Sequence, residues 1–245
     1  MTACELERAF YRAALSVRCT DAITGVVVAD ELVVTAGPAA DPDVRLTATS
    51  SPLSGLQGFG ELPSLRTYQR APGPAPAPTT YAIGVVDLRR RYLPVVLEVP
   101  VPVAAPVEVP LHSSVSRLPP SGWAVVRGEV HDQTSGDPLA WPVVSVTAGP
   151  DTYDVVGDGL GRFLLIAPYP EALPPLSGSP PAGPGLSAMT WPLTIAVRSE
   201  PGALTGGDPP ELGSILGQAP VAGPPATDEL AFGAPTVLIL LVQPS

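Results

Sequence analysis

The residues able to do chemistry are few and scattered along the chain. His112 and His131 are its two histidines. A nucleophile–base pair would set one of them beside an activated serine, and no Gly-x-Ser-x-Gly elbow surrounds any serine. His131 is followed by Asp132, but neither histidine has a partner at metal-ligand spacing. A zinc site wants about three or four converging ligands. Gly157-Asp158-Gly159-Leu160-Gly161 is glycine-rich, yet it carries no lysine and opens no predicted helix, so it is not a phosphate loop. Asp154 and Asp158 could hold Ca²⁺ there, although a tight turn accounts for the same residues. Trp123, Trp141 and Trp191 lie in or beside predicted strands, where core packing is the expectation. Arg89-Arg90-Arg91 is the one basic cluster, and it reads either as a solvated turn or as a docking point for an acidic partner surface. No catalytic residue, cofactor site or metal site is assigned, and the chain is read as non-enzymatic.

The elements that must carry these residues are strands. Of 245 residues, 45% are hydrophobic and 15% charged, with 34 prolines and 24 glycines. Disorder needs low hydrophobicity, whereas the mean hydropathy here is +0.27. Short apolar strands between long proline-stiffened loops reconcile the two. Leu15 to Thr20 alternates apolar and polar residues; Val26–Val28 and Leu32–Thr35 are β-branched runs stopped by Gly37-Pro38. Trp123–Val130, Pro142–Ala148, Trp191–Val197 and Thr236–Val242 read likewise, the last as a strand paired within a sheet. A short helix is predicted at the start, from the Thr2/Glu5 capping spacing and from Leu6, Phe10 and Ala13/Ala14 on one face.

Two motifs recur. Asp21-x-x-Thr24-Gly25 matches Asp132-x-x-Ser135-Gly136, each followed by Val-Thr-Ala-Gly-Pro at a distance that agrees within one residue. Downstream, Asp87-x-x-x-Arg91-Tyr92-Leu93 matches Asp158-x-x-x-Arg162-Phe163-Leu164. Two matches in the same order predict an internal duplication. The expected organisation is an N-terminal β-sandwich over 1–104 with a long insertion at 50–80, an extended Pro-rich linker over 105–119, and a C-terminal β-sandwich over 120–245. Both turn motifs are hairpin punctuation, in which Asp accepts from nearby amides and Gly supplies the positive φ.

The net charge is −10, and all thirteen basic residues are arginine. That balance argues against nucleic-acid or anionic-membrane binding, which needs a basic face. No basic segment followed by an apolar run marks a signal peptide, and Val237–Val242 is too short to span a bilayer. A cytoplasmic origin is the expectation. Cys4 and Cys19 are two cysteines, not a disulfide framework, and are expected as free thiols.

Gly128-Glu129-Val130 through Val146, followed by Asp158-x-x-Gly161-Arg162-Phe163, resembles carboxypeptidase regulatory-like (transthyretin-like) β-sandwich domains. A narrower resemblance lies in Pro119 to Gly128, Gly161–Leu165 with Pro168-Tyr169-Pro170, Leu212 to Pro220, and Leu230-Ala231-Phe232-Gly233. Asp87 to Pro94 belongs with them. These segments look like proteins encoded with extracellular contractile injection systems, the phage-tail-like particles. The resemblance implies a structural subunit, placed at the cap or terminator and alternatively in the baseplate, oligomerising with the particle. Its partners would be tube, sheath, cap or baseplate proteins. Candidate contacts are Arg89, Arg90, Arg91, Leu212, Ile215, Leu216 and Gln218. A stand-alone binding or adhesion module is the competing class.

Overall fold

The structure is a computed structural model that describes residues 12–51, 55–70, 73–171, 188–200 and 207–243. The predicted N-terminal helix and Cys4 fall almost wholly outside these residues; Ala13 and Ala14 are described and are not helical. The fold is all-β, two related β-sandwiches.

The first unit contains β1 (Ser16–Asp21), β2 (Leu32–Pro38), β3 (Leu46–Thr47), β4 (Thr49–Ser51) and β5 (Leu56–Gly58). A short 3-10 turn at Pro63–Leu65 and a helix α1 (Arg66–Arg70) lead to β6 (Thr79–Asp87), β7 (Val95–Val101) and β8 (Val107–Leu111). The sheets are β4-β5-β1-β8 and β3-β2-β6-β7. Alternation along β1 turns Val17, Cys19 and Asp21 inward and leaves Ser16, Arg18 and Thr20 outside. Tyr81, Ile83 and Val85 from β6 meet them across a core that also takes in Leu15, Leu62 and Leu111.

The second unit contains β9 (Ala124–Asp132), β10 (Val143–Ala148), β11 (Asp151–Val156), β12 (Arg162–Ala167), β13 (Thr190–Arg198), α2 (Leu212–Leu216), β14 (Ala226–Ala231) and β15 (Thr236–Val242). Its sheets are β12-β9-β15 and β11-β10-β13-β14. Trp191, Leu193, Ile195 and Val197 from one sheet pack on Phe163, Leu165, Leu238 and Leu240 from the other.

The duplication is legible in the ladders. In each unit the first strand pairs antiparallel with a mid-chain strand and parallel with the last one (β5-β1-β8, β12-β9-β15). The second strand pairs with the third and with the penultimate pair in the same order (β3-β2-β6-β7, β11-β10-β13-β14). The Asp21 and Asp132 turns are equivalent in detail. Asp21 Oδ1 accepts from the Ile23 and Thr24 amides at 3.0 and 2.9 Å, and Asp132 Oδ1 from Thr134 and Ser135 at 2.6 and 3.3 Å. Gly25 and Gly136 close the turns at φ 69° and 78°.

Two differences from the sequence reading stand out. Residues 105–119, read as a linker, hold β8, whose parallel pairing with β1 completes the first sandwich. Alternation there is masked by Pro110, which a strand accepts at a sheet edge. The second motif match joins turns that are not equivalent: Asp87–Arg91 connects β6 to β7, and Asp158–Arg162 connects β11 to β12. Turn chemistry, not descent from one position, made them alike.

Candidate interaction surfaces

The Arg89–Arg91 turn is built from its own aspartate. Asp87 accepts from the Arg89 and Arg91 amides at 3.2 and 2.7 Å, and the Arg91 guanidinium returns to the same carboxylate at 3.0 and 3.1 Å. Arg91 also reaches Asp30 at 2.9 Å, and Arg89 pairs with Glu31. Burial alone would raise the Asp87 carboxyl, but the Arg91 guanidinium and the two amides hold it below the usual carboxylate range. The cluster that looked like a basic patch is therefore neutralised by Asp30, Glu31 and Asp87. Arg90 alone of the three has no ion-pair partner among the described residues; it sits at φ 57°.

Next to it lies a buried polar network at the end of the first core. Asp21 is 3% exposed and accepts from Tyr92 Oη at 3.0 Å and from Arg117 Nη1 at 2.5 Å, besides its two turn amides. Burial works to raise this carboxyl, and the Thr24 amide and Arg117 outweigh it, so its pKa is lowered. Burial and then the Asp21 charge push the Tyr92 phenol up to about 12. Arg117 stacks over Tyr92 at 4.6 Å from the ring centroid.

The second group of candidates turns inward. Glu211 caps α2 by accepting from the Ser214 amide at 2.9 Å, and its backbone bridges Val96 of β7. Leu212 is buried in the first unit's core, while Ile215 joins Leu93, Trp141, Val143 and Val156 in a cluster drawn from both units. Leu216 touches both clusters. Gln218 is 4% exposed; its Nε2 donates to the Trp141 and Ile215 carbonyls at 2.7 and 3.0 Å, and its Oε1 accepts from the Glu200 amide at 2.9 Å. The segment read as a contact for other proteins is thus in contact with the other half of its own chain. It is a clamp carried on the β13–β14 connection, and the sequence could not say that its partner was internal.

The remaining reactive groups have structural duties. Asp154 bonds Ser145 and Arg198, and Asp158 accepts from the Leu160 and Arg162 amides and from the Arg162 guanidinium, so both carboxylates of the suggested Ca²⁺ turn are occupied. No group of three or more metal-ligating side chains gathers among the described residues. His131 contacts the Gly136 carbonyl and Glu129, each at 3.1 Å. Cys19 is buried, and burial followed by the Glu108 charge raises its thiol to about 12. Trp141 and Trp191 are in the cores, and Trp123 packs beside Val125, Leu164 and Ile166. No helix among the described residues is long and apolar enough to cross a membrane.

Sequence reasoning missed one surface. β15 pairs with β9 on one side and is the last strand of its sheet on the other. Val237, Ile239 and Leu241 project from its outer face, 67%, 73% and 60% exposed. A run that is apolar at every position cannot reveal by its periodicity which side stays open.

No family model and no curated protein matches the chain. Among solved structures it is similar to the Bacillus anthracis TIE protein (11% identity, 95% of this chain and 34% of that one, TM-score 0.28). It is also similar to shaft pilin SpaA from Lactobacillus rhamnosus GG (11% identity, 95% and 98% covered, TM-score 0.26). A third is the Streptococcal ancillary pilin (8% identity, 94% and 68% covered, TM-score 0.27). The chain spans about a third of the TIE protein chain. The all-β assignment stands on the sheets themselves, not on these likenesses.

Two of the seven sequence candidates, Arg89 and Arg91, are thus brought together with acidic neighbours of their own chain, and four, Leu212, Ile215, Leu216 and Gln218, gather at the junction of the two sandwiches. Arg90 stays exposed and without an ion-pair partner among the described residues, and the β15 face is one of several places where apolar side chains are exposed.

Proposed function

We propose that this chain is a non-catalytic structural subunit that acts by protein–protein contacts in a contractile injection particle, at its cap or terminator end. The observation that carries the structural part is the α2 clamp. Leu212 enters the first unit's core and Ile215 shares an apolar cluster with Leu93 of the first unit and Trp141 of the second, while a buried glutamine ties the same segment to Trp141 of its own unit. Outside it, the charged turns are bonded inward rather than gathered round a cleft. Such an object suits load-bearing or spacing duties, because its polar groups stabilise its own turns. The particle assignment rests on the sequence segments quoted above, and the partners it implies are tube, sheath or cap proteins. Intact particles purified from a producing cell and analysed by mass spectrometry test it. This chain is expected to co-purify with sheath and tube; its consistent absence overturns the assignment.

A further inference from the structure

We infer that β15 is a self-docking strand: two copies of this chain pair antiparallel, edge to edge, about a two-fold axis at Ile239. The inference deepens the assembly reading above and rests on it for its purpose, but its test uses the purified chain alone.

The backbone sets the edge. Val242 offers its carbonyl to the Gln133 amide at 2.8 Å, on the β9 side, and Gln243 offers its own to Ala222 at 3.2 Å, on the opposite side. Alternation along the strand then turns the N–H and C=O groups of Val237, Ile239 and Leu241 away from β9. Beyond the single bridge of Ala222 to Gln243 just past its end, no strand among the described residues pairs with that edge of β15. The same three residues carry the exposed apolar side chains. An open, flat, apolar edge is a template for pairing with another strand, and proteins that must stay apart blunt it with charge or proline.

The first unit supplies an internal comparison. β8 holds the place of β15: the Ala22 amide bonds Leu111 O as the Gln133 amide bonds Val242 O. In the ladders Glu108 lies opposite Arg18 and Pro110 opposite Thr20; Ile239 lies opposite Glu129 and Leu241 opposite His131. So where β8 presents Glu108, paired with Arg18 at 3.0 Å, and Pro110, β15 presents isoleucine and leucine. One edge is protected and its counterpart is not.

Charge favours a second copy as the occupant. The chain carries −10, so two copies repel over most of their surface. β15 has no charged residue, and its β9 neighbours on the outer face are of mixed sign, Arg127 and Glu129 with His131 between the sheet and its turn. A two-fold axis at Ile239 sets Val237 against Leu241 of the other copy on both sides, giving three hydrogen-bonded pairs with no like charges opposite. Symmetry delivers this self-complementary pattern without a second sequence. Three exposed side chains per copy fall short of the roughly 800 Å² per partner of a standard stable interface. The dimer is therefore weak and concentration-dependent, a contact that holds once subunits are gathered.

Sedimentation of the purified chain over a wide concentration range reads it. The wild type is expected to pass from monomer to dimer, and Ile239→Lys to shift the transition at least tenfold higher in concentration. Ile239→Glu combined with Leu241→Pro, which copies β8, should act alike while circular dichroism stays unchanged. In a Cys4→Ser background, Ile239→Cys should cross-link across the axis, where facing Cα atoms are ~5.5 Å apart. Val237→Cys, facing leucine, should not. A wild-type chain that stays monomeric throughout, a dimer indifferent to Ile239→Lys, or equal cross-linking of both cysteines overturns the inference. None of these outcomes touches whether the chain is found in particles.

Discussion

Arg90 and Gly161 occupy the same position in two turns built alike, each three residues after the aspartate, at φ 57° and 74°. Their surroundings differ. A Cβ at Gly161 would lie 2.6 Å from the Val130 carbonyl oxygen and 2.9 Å from that of Leu139, whereas Arg90 is exposed and keeps its Cβ. Gly161→Ala is therefore expected to cost about 2–4 kcal/mol in urea unfolding, from overpacking added to left-handed strain. Arg90→Gly should be neutral or stabilising by up to about 1 kcal/mol, since strain relief opposes the entropy of a freer unfolded chain. Equal losses in the two would contradict this account. The aspartates of the other motif form a second pair of unequal twins. Asp21 is buried under Tyr92 and Arg117, while the Asp132 carboxylate, among the described residues, accepts from its turn amides alone. Asp21→Ala leaves Arg117 without its buried partner and should cost about 3 kcal/mol; Asp132→Ala should cost about 1 kcal/mol. The spacing of both motifs was plain in the sequence, and so was their role as turns. What surrounds each turn was not, because that depends on which distant carbonyl or ring the fold carries to it.

At the scale of elements, strands with one open face announced themselves. Thr190–Arg198 alternates buried and exposed residues throughout, and the reading of Trp191–Val197 as a strand follows from it. Two kinds of element stayed hidden. β8 carries Pro110 and lies in a Pro-rich stretch, so it read as linker; its identity comes from the parallel ladder to β1, which no local pattern encodes. α2 is only five residues long, and its leucines and isoleucine looked like material for an external partner. Isolated helices of that length are not stable in water, so α2 exists because it is packed. That gives it a testable duty. Leu212→Ala combined with Ile215→Ala removes buried side chains from the first core and from the shared cluster. Each truncation should cost about 2–4 kcal/mol, and calorimetry should show one unfolding transition of the parent separating into two. A variant that still unfolds in a single transition, with its midpoint unchanged, would show that α2 does not join the units.

The molecule as a whole is held at the junction where His112 is buried. It follows β8, is 7% exposed, and neither ring nitrogen finds a hydrogen-bond partner among the described residues. Leu93, Trp141, Val156 and Ile215 share its small cavity between the two units. Burial depresses its pKa to about 4, against the pull of the Asp154 and Asp21 carboxylates, which favour the charged ring. In the unfolded chain the same ring takes its proton near pH 6.5. Between those two values the unfolded chain binds more protons than the folded one, so stability must fall as pH falls through that window. The contribution is whole above the unfolded value and is lost by about pH 4, amounting to about 3 kcal/mol. Asp21 and Asp87, whose folded values are lowered, weaken the fold only at more acid pH, as it drops below their ordinary carboxylate range. The two effects are separable by pH. Urea unfolding of the wild type and of His112→Leu at neutral and mildly acid pH isolates the ring. The wild type should lose stability on acidification from neutrality to about pH 4 while the leucine variant stays nearly level over the same span. Parallel pH profiles would mean that His112 is solvated, and that the junction between the sandwiches is looser than the apolar cluster around Trp141 implies.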